Sequence, residues 1–511
     1  MTSWSPLSHG QEALWFLWKL VPATPTYNIA LPVGVRGALD VRAFRAALQS
    51  LSDRHAALRL EFREENGAPM QRPIDRHEVL LDRIDASDWD DAMVGAAVRE
   101  RARQPFDLEA SAAMRATLFR RSDDHHVLLI VVHHMTSDLW SLIVAMDELR
   151  ELYAAEKEDR EPALAPRSTT YIDAIRQQRE TLEGETGERL WQFWRDELSG
   201  DLPALDLPAA RLRPSMQSFR GGTITRRMSV SLTPRLKQLA GRERVTLYML
   251  LLAAYEVLLH RYTGQEAFIV GSPTSGRERP ELQDVVGDFV NMVPLRADLS
   301  ASPTFREVLG RVRARVLGTM QHQDYPFSLL IDRLHPARDL SRSPLFQTTF
   351  VLQKFHRFQE LSRVMLPGDG EAAIPFADLL LEPMPLAQQD GQFDLNVEMK
   401  EDDRGQLVGA WKYAADLFNA PAIERMAAHF ETLLESIVAE PNCAIGALPL
   451  LDAVESHDAI ARGAGDVTEL PDKTVCELFE AQSLRRPDAV AVTCGDDIVT
   501  YGELHDRVAS L

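Results

Sequence analysis

The sequence is poor in cysteine, with three in 511 residues, at Cys443, Cys476 and Cys494. Their spacing matches no metal or redox motif, so neither a disulfide framework nor a metal site is expected, and a reducing compartment fits. The sequence also lacks a segment that resembles a signal peptide and an uninterrupted apolar run long enough to cross a bilayer. These features predict a cytoplasmic protein with no membrane association.

Positive charge is also in deficit. The 56 Lys and Arg residues are outnumbered by 76 Asp and Glu residues, which gives a formal net charge of −20. This balance argues against a nucleic-acid surface, and a phosphate-bearing partner would need a local basic patch. Apolar residues make up 45% and charged residues 26%, as in ordinary globular proteins. Because 511 residues exceed what one hydrophobic core usually supports, we expect at least two lobes.

Hydrophobic periodicity indicates alternating strands and helices. Residues 40–51 predict a helix with Asp40 at its N-cap and with one apolar face formed by Val41, Phe44, Ala47, Leu48 and Leu51. A long apolar segment at about 244–262 predicts a second helix. Residues 267–272 then predict a strand that enters a turn.

Two adjacent histidines, His133 and His134, follow an apolar run that predicts a buried strand and precede a segment from Ser141 that predicts an amphipathic helix. Neighbouring strand residues point to opposite faces, so one imidazole is expected to face inward and the other a cleft. An imidazole titrates near neutrality and can accept a proton from an amine or hydroxyl nucleophile. With Asp138 four residues after His134, the pattern HHxxxD favours catalysis over the alternative of two packed or surface histidines.

This pattern resembles HHxxxDG, the active-site motif of the condensation domains of nonribosomal peptide synthetases, which are chloramphenicol-acetyltransferase-like acyltransferases. Alone, it also resembles the motifs of wax-ester-synthase-type acyltransferases and of epimerisation domains. Six further segments resemble condensation-domain motifs in the family's order. They are residues 8–15 (SxAQxRLW), 54–62 (RHExLRTxF), 171–173 (YxD), 286–296 (GxFVNTxxxR), 322–327 (HQDYPF) and 338–347 (RDxSRNPLFQ). The resemblance covers roughly residues 5–455.

The resemblance implies an α/β fold of two chloramphenicol-acetyltransferase-like lobes in a V-shaped pseudodimer, with the active site between them. We expect the N-terminal lobe at residues 1–165 and the C-terminal lobe at residues 166–455. Residues 456–472 contain glycine and proline and suit a linker. Residues 473–511 resemble the truncated start of an adenylation domain, which ends before any phosphate-binding loop.

The implied reaction is amide formation, in which the amine of a carrier-bound aminoacyl thioester attacks a donor acyl thioester. His134 would lie where two phosphopantetheine tunnels meet and would accept the amine proton or hydrogen-bond the developing ammonium. His133 belongs to the same catalytic motif, although a packing or hydrogen-bonding role is favoured for it. The domain itself is expected to bind no cofactor. Its expected partners are an acyl-coenzyme A or acyl-carrier protein donor, a downstream peptidyl carrier protein and the adjoining adenylation domain, with the protein itself a monomer.

Asp138 has two interpretations: it orients the catalytic base, or it forms a buried ion pair that holds the loop. The resemblance favours the ion pair, with Arg277 as the partner, because an arginine fork suits bidentate pairing with a carboxylate. The alternative for Arg277 is a solvated loop arginine. In the family a glycine usually follows the motif aspartate, whereas this sequence has Leu139 there. The side chain of Leu139 must therefore point away from the tunnel or narrow it. The candidates for lining the tunnel are Leu139, Trp140, Asn291 and Gln347. For Trp140, Asn291 and Gln347 a packing role is at least as strongly indicated.

The donor is predicted from the start of the chain. Seven residues precede Ser8, where the first family segment begins, and they contain no carrier domain or docking helix. If Met1 is the native start, the sequence resembles starter condensation domains, which attach a fatty acyl group to the first amino acid of a lipopeptide. The alternatives are an elongating domain with a carrier-bound peptidyl donor and a catalytically inactive recruiting platform. The intact motif residues His133, His134 and Asp138 disfavour the inactive platform.

Overall fold

The computed structural model describes residues 3–22, 24–75, 77–110, 113–336, 339–354, 358, 360–361, 373–386, 391–464, 472–495 and 497–510. Met1, on which the predicted donor depends, and Arg338 of the last motif segment lie outside the described residues, as do residues 465–471 of the predicted linker. The chain divides into two compact units, Met1–Leu450 and Leu451–Leu511.

The first unit contains fifteen described strands. In chain order they are β1 (Ser5–Pro6), β2 (Asn28–Arg36), β3 (Leu60–Glu65), β4 (Ala68–Pro73), β5 (Leu81–Asp85), β6 (Met114–Arg120), β7 (His125–His133), β8 (Gly221–Arg227), β9 (Ala267–Thr274), β10 (Asn291–Asp298), β11 (Thr348–Gln353), β12 (Ile374–Phe376), β13 (Leu379–Pro383), β14 (Leu395–Glu401) and β15 (Leu407–Ala414).

Eleven described helices accompany these strands. They are α1 (His9–Leu20), α2 (Val41–Arg54), α3 (Asp91–Ala102), α4 (Leu139–Glu158), α5 (Tyr171–Glu183), α6 (Glu185–Glu197), α7 (Leu232–Glu243), α8 (Leu247–Thr263), α9 (Phe305–Met320), α10 (Phe327–Leu334) and α11 (Ala420–Ala439). Two short 3₁₀ turns lie at Ala56–Arg59 and Pro280–Leu282. The expected α/β class is therefore confirmed.

Two six-stranded mixed sheets form the framework of this unit. The first sheet has the strand order β12–β13–β2–β7–β6–β5, and the second has the order β10–β9–β11–β14–β15–β8. In the first sheet β5 runs parallel to β6, and in the second β11 runs parallel to both β9 and β14. A third sheet of three strands has the order β1–β4–β3.

Strand β7 is central to the first sheet and ends at the histidine pair. It lies antiparallel between β2 and β6, and each of its residues after His125 is buried. A continuous apolar run of this kind is typical of a strand that is covered on both faces. The predicted strand is confirmed, and α4 begins five residues after His134, at Leu139.

Helix α2 packs against α4 over the first sheet. The Asp40 carboxylate caps α2 by accepting the backbone N–H groups of Arg42 and Ala43. The predicted apolar face is confirmed: Phe44, Ala47, Leu48 and Leu51 are buried in the core, and Val41 is half-buried and packs against it. The 3.6-residue repeat thus predicts both where this helix starts and which face it buries.

The core of the second sheet is organised around α8, whose residues 249–259 are all buried. A helix that is buried on every side is expected in the interior of a large domain, and Glu256 is the one charged residue in this buried stretch. Both predicted elements in this region are confirmed, the helix as Leu247–Thr263 and the strand as Ala267–Thr274. Strand β10 returns antiparallel to β9, so the intervening residues 275–290 form one long loop at the strand ends.

Strands β12 and β13 lie within the predicted second lobe, residues 166–455, yet they pair in the first sheet. Leu381 of β13 is opposite Val35 of β2, and β12 adds the edge strand beyond β13. The two sheets are therefore not divided by a single cut in the chain at residue 165.

The second unit is described by itself. It contains α12 (Ala453–Gly463), α13 (Val475–Arg485), a hairpin of β16 (Val490–Cys494) and β17 (Asp497–Thr500), and α14 (Tyr501–Ala509). The Phe479 ring packs against the rings of Tyr501 and His505. Across the described parts of both units, no helix combines the length and the apolar character needed to span a bilayer.

Candidate active site

The two histidines at the end of β7 lie in different environments. His133 is the last residue of the strand and is 3% exposed. The side chain of His134 is 27% exposed, and its backbone N–H donates to the carbonyl of Tyr27 at 2.9 Å. Extended geometry up to His133 thus directs one imidazole into the core and leaves the next one accessible.

The His133 ring is held inside the protein. Its Nδ1 accepts the backbone N–H of Met135 at 3.1 Å, and the ring packs in a T-shaped arrangement with Phe106, with ring centroids 6.0 Å apart. Burial, together with smaller contributions from the neighbouring His134 and Arg115, lowers the pKa of His133 to about 3. The ring is therefore neutral at physiological pH, with its proton on Nε2, and this environment favours a packing role.

Asp138 is fully buried at the N-cap of α4. One carboxylate oxygen, Oδ1, accepts the Ser141 N–H at 2.8 Å. The other, Oδ2, accepts Nη1 of Arg277 at 2.5 Å and the Phe289 N–H at 3.0 Å. Burial alone would raise the pKa of Asp138, but the Arg277 guanidinium outweighs it and holds the pKa below its usual range. The carboxylate is therefore ionised, and each of its oxygens accepts a hydrogen bond.

Arg277 joins the loop between β9 and β10 to the start of α4. Besides Asp138, it donates to the hydroxyl of Ser141 at 2.7 Å and to the carbonyl oxygens of Val285 and Gly287 at 3.3 and 3.2 Å. Its guanidinium carbon lies 4.3 Å from the ring centroid of Phe289. Such a fork links a helix start from the first sheet to a loop from the second.

The same loop brings a second carboxylate to the site. Asp288 Oδ1 lies 3.3 Å from His134 Nδ1, and the Asp288 side chain is 5% exposed. Burial alone would lower the pKa of His134, but the Asp288 carboxylate outweighs this effect, so the pKa of His134 lies above its ordinary value. The sequence pattern alone assigns no role to Asp288. The only available signal was an acidic residue at the variable position of the GxFVN segment.

Two of the tunnel candidates are engaged in hydrogen bonds to the backbone. Asn291 donates to the carbonyl oxygens of Gln323 and Tyr325 and accepts the N–H of Phe327. It therefore fixes the HQDYPF segment at the start of β10. Gln347 is 3% exposed; it accepts the Leu205 N–H at 2.7 Å and donates to a loop carbonyl at 3.1 Å.

The other two candidates, Leu139 and Trp140, form the first turn of α4 and are half-buried. The indole Nε1 of Trp140 donates to the Gln283 carbonyl at 2.8 Å, and its ring lies edge-on to Phe358 at 6.1 Å. The loop, the helix start and the end of β7 therefore place one accessible imidazole beside two buried carboxylates. This arrangement is suited to transferring a proton at His134.

A comparison with protein families finds that the condensation-domain family matches residues 2–459. Among curated proteins, a linear gramicidin synthase of Brevibacillus parabrevis is 38% identical over 511 residues, which cover 99% of this chain and 6% of the relative. The isonitrile lipopeptide synthase of Mycobacterium tuberculosis is 33% identical over 517 residues, which cover 98% of this chain and 20% of the relative. The chain thus spans a small part of the relatives it matches.

Solved structures show the same fold. A four-domain nonribosomal peptide synthetase bound to AMP and glycine matches with a TM-score of 0.84 and 25% identity, over 100% of this chain and 38% of that chain. The X-domain from teicoplanin biosynthesis matches with a TM-score of 0.79 and 29% identity, over 87% of this chain and 97% of that chain. The same X-domain is also found in a complex with OxyB.

Proposed function

Because the chain belongs to the condensation-domain family of nonribosomal peptide synthetases, enzymes that form amide bonds, we propose that His134 serves the reacting amine in this chain. The observation that carries the proposal is the exposure of this ring. Its Nδ1 is buried while 27% of the side chain is exposed, so the accessible edge lies away from Nδ1, towards Nε2. That edge is the one an incoming amine would meet.

The proposed reaction joins a donor acyl thioester to the amine of an aminoacyl thioester. The amine nitrogen attacks the thioester carbonyl carbon, the C–N bond forms and the C–S bond breaks. His134 Nε2 takes a proton from the amine and passes it to the departing thiolate, which leaves as the thiol. A base whose pKa lies near the working pH is best suited to this transfer. Condensation domains work with carrier domains that hold both substrates on phosphopantetheine, which supplies the proximity of the reactants.

For the remaining motif residues we propose supporting roles. The Asp138–Arg277 ion pair holds the loop of residues 275–290 against α4, and His133 anchors the end of β7. Asn291 and Gln347 support the walls of the site through their backbone hydrogen bonds. Leu139 and Trp140, half-buried at the start of α4, are the candidates that remain for contact with substrate.

The donor is proposed to be a fatty acyl thioester, on coenzyme A or on a carrier protein, as in starter condensation domains. The name of the isonitrile lipopeptide synthase relative supports a lipid donor. The linear gramicidin synthase relative supports the alternative, a carrier-bound peptidyl donor. The structural similarity to an X-domain found in complex with OxyB supports a recruiting platform. A recruiting platform does not require an accessible catalytic histidine, so the exposure of His134 argues against this alternative.

The base is tested by replacing His134. The substitution His134→Ala should lower the rate of amide formation by roughly 10²–10⁴-fold and leave the melting temperature close to that of the wild type, because positioned proton transfer contributes about that factor. Product would be measured by mass spectrometry with a donor thioester and an aminoacyl carrier protein. His457→Ala, which changes an exposed histidine of the second unit, is the matched control. Wild-type turnover by a folded His134→Ala protein would contradict the role of His134.

A further inference from the structure

We propose that Asp288 is the positioning residue of His134: its carboxylate accepts the Nδ1 proton, fixes the plane of the ring and directs Nε2 at the reacting amine. The inference rests on the proposed function and deepens it. Its first support is the contact itself, with Oδ1 and Nδ1 3.3 Å apart. Both atoms are buried, and neither has a hydrogen-bond partner of good geometry among the described residues.

A buried polar atom without a hydrogen-bond partner destabilises the folded protein. Two such atoms that face each other can remove this cost by forming a hydrogen bond. Here the two atoms face each other at 3.3 Å, within hydrogen-bonding distance. Catalytic hydrogen bonds in unliganded sites are commonly long or poorly aligned and tighten when substrate binds. The distance therefore describes a pair that is in position to form the bond.

The backbone that carries Asp288 is fixed on both sides. On one side, Gly287 exchanges two hydrogen bonds with the Ser141 hydroxyl, at 2.7 and 3.0 Å. On the other side, the Phe289 N–H donates to Asp138 at 3.0 Å. In an exposed loop a carboxylate could change position freely. The position of the Asp288 carboxylate is instead fixed by hydrogen bonds to both neighbouring residues. The motif ion pair thus acts on His134 through the loop that presents Asp288.

Tyr171 adds a third attachment. Its hydroxyl donates to the backbone carbonyl of Asp288 at 2.9 Å, and its ring packs against Gly287 so closely that a Cβ on that glycine would lie 2.2 Å from the ring. The glycine of the GxFVN segment is therefore required for this approach. The Tyr171 contact fixes the position from which the Asp288 side chain reaches His134.

Four other titratable groups lie around the His134–Asp288 pair, and none of them replaces Asp288 as the carboxylate in contact with the His134 ring. They are His133, Asp138, Tyr171 and Arg277. His133 is neutral, because burial lowers its pKa to about 3. Tyr171 is neutral, because burial raises its pKa well above the ordinary value. Asp138 and Arg277 are paired with each other.

A carboxylate at Nδ1 has two consequences for proton transfer. It keeps the neutral ring in the tautomer whose Nε2 lone pair is free, and it stabilises the imidazolium that forms when Nε2 takes the amine proton. Burial raises the pKa of the Asp288 carboxyl above its ordinary value, and the charge of the neighbouring His134 opposes that rise. In the proposed role Asp288 acts through the His134 ring and touches neither substrate. Its loss should therefore affect the turnover number and the pH dependence, while the KM values for both thioesters stay unchanged.

The test uses Asp288→Asn, which keeps the shape and removes the charge. Turnover should fall roughly 10- to 100-fold, less than the full contribution of the base. The acid limb of the pH–rate profile should move to lower pH, because burial without the carboxylate lowers the pKa of His134. The same shift should appear in an NMR titration of the His134 ring, assigned with His134→Ala. Asp284→Asn, which removes an exposed charge from the same loop, should leave the limb and the titration unchanged.

Three outcomes would overturn the inference. The first is an unchanged acid limb and ring titration in Asp288→Asn. The second is a fall in turnover of the same factor when Asp288→Asn is added to His134→Ala, since a residue that acts through His134 adds nothing once that ring is gone. The third needs no variant: a wild-type His134 that titrates below 6.5, its ordinary value. If no donor gives an amide product but the titration shift is present, the Asp288 pair stands and the proposed function fails.

Discussion

At the scale of single residues, the stability of the site depends on Asp138. Its carboxylate has no exposed surface and accepts hydrogen bonds from Ser141, Arg277 and Phe289. Removing one partner of a buried ion pair leaves the other charge uncompensated in a medium that solvates it poorly. The arginine, which is 2% exposed, would lose its main counter-charge while its remaining partners are neutral oxygens.

Asp138→Ala should therefore lower the free energy of unfolding by about 3–5 kcal/mol, more than His134→Ala does. Chemical denaturation of both variants measures the difference. Asp123→Ala, at an aspartate that is 96% exposed, is the control and should change stability by less than about 0.5 kcal/mol. A wild-type unfolding midpoint for Asp138→Ala would show that the carboxylate does not hold the loop.

How much of the site can be predicted depends on whether each contact is local in sequence. Strand alternation predicts that His133 and His134 face opposite ways, and the structure has one buried and one accessible ring. Arg277 became a candidate only through the resemblance to the family. Asp288 was missed because its contact with His134 is created by the path of a long loop, and no periodic pattern encodes that path. Its neighbours in the sequence indicate only a buried loop.

At the scale of elements, a cluster of charges joins the end of α2 to α4. Glu148 of α4 accepts His55 Nε2 at 2.8 Å, Arg54 at 3.0 Å and Arg167 at 2.6 Å. Burial lowers the pKa of His55 to about 4. Burial alone would raise the pKa of Glu148, but His55 and the two arginines hold it at about 2. The cluster is therefore built for a neutral histidine and an ionised glutamate.

The sign of the pH dependence follows from these pKa values. In the unfolded chain His55 titrates at 6.5, so the unfolded state takes up a proton that the folded state refuses as the pH falls from 6.5 towards 4. Stability is complete above this window and is lost within it. The contribution of Glu148 is lost only below its ordinary value of 4.5. Between pH 6.5 and pH 5 this cluster therefore loses stability through His55 and not through Glu148.

Acidification from pH 7.5 to pH 5 should cost the wild type about 2 kcal/mol more stability than it costs His55→Gln, which has no titrating ring. Urea denaturation at the two pH values gives this difference directly, and the two proteins need not be equally stable at neutral pH. His457→Gln, at an exposed position, should lose as much stability as the wild type. Equal losses for His55→Gln and the wild type would contradict a buried neutral His55.

Elements with one strong period were predictable, and elements defined by their partners were not. The apolar stripe of α2, the long and mostly apolar α8 and the continuous run of β7 each specify their own conformation. Strands β12 and β13 contain few residues, and they are stabilised by pairing with β2, which lies far away in the sequence. Short strands of this kind carry no signal for which sheet they join, so the pairing of β12 and β13 with the first sheet could not be read from periodicity.

At the scale of the whole molecule, charge bears on the donor. Acidic residues exceed basic ones by enough to give a net charge of −20. A coenzyme A thioester brings phosphate groups into this repulsive field, so its binding requires local basic contacts, which salt screens. A carrier protein instead brings a folded surface to the enzyme. The two donor classes therefore differ in the kind of contact that must overcome the field.

We expect the protein to accept a medium or long acyl-coenzyme A directly, with turnover that falls as salt is raised. Each methylene buried in a tunnel contributes about 0.8 kcal/mol, so kcat/KM should change by roughly fourfold per carbon up to the length that fits. A series of acyl-coenzyme A donors with one aminoacyl carrier protein, followed by mass spectrometry, measures this dependence. His134→Ala is the control for uncatalysed transfer.

Amide formation from a peptidyl carrier protein, with none from any coenzyme A thioester, would contradict the fatty acyl donor and support the peptidyl donor. A lack of product from either donor, in a protein whose His134 ring is intact, would instead favour the recruiting platform.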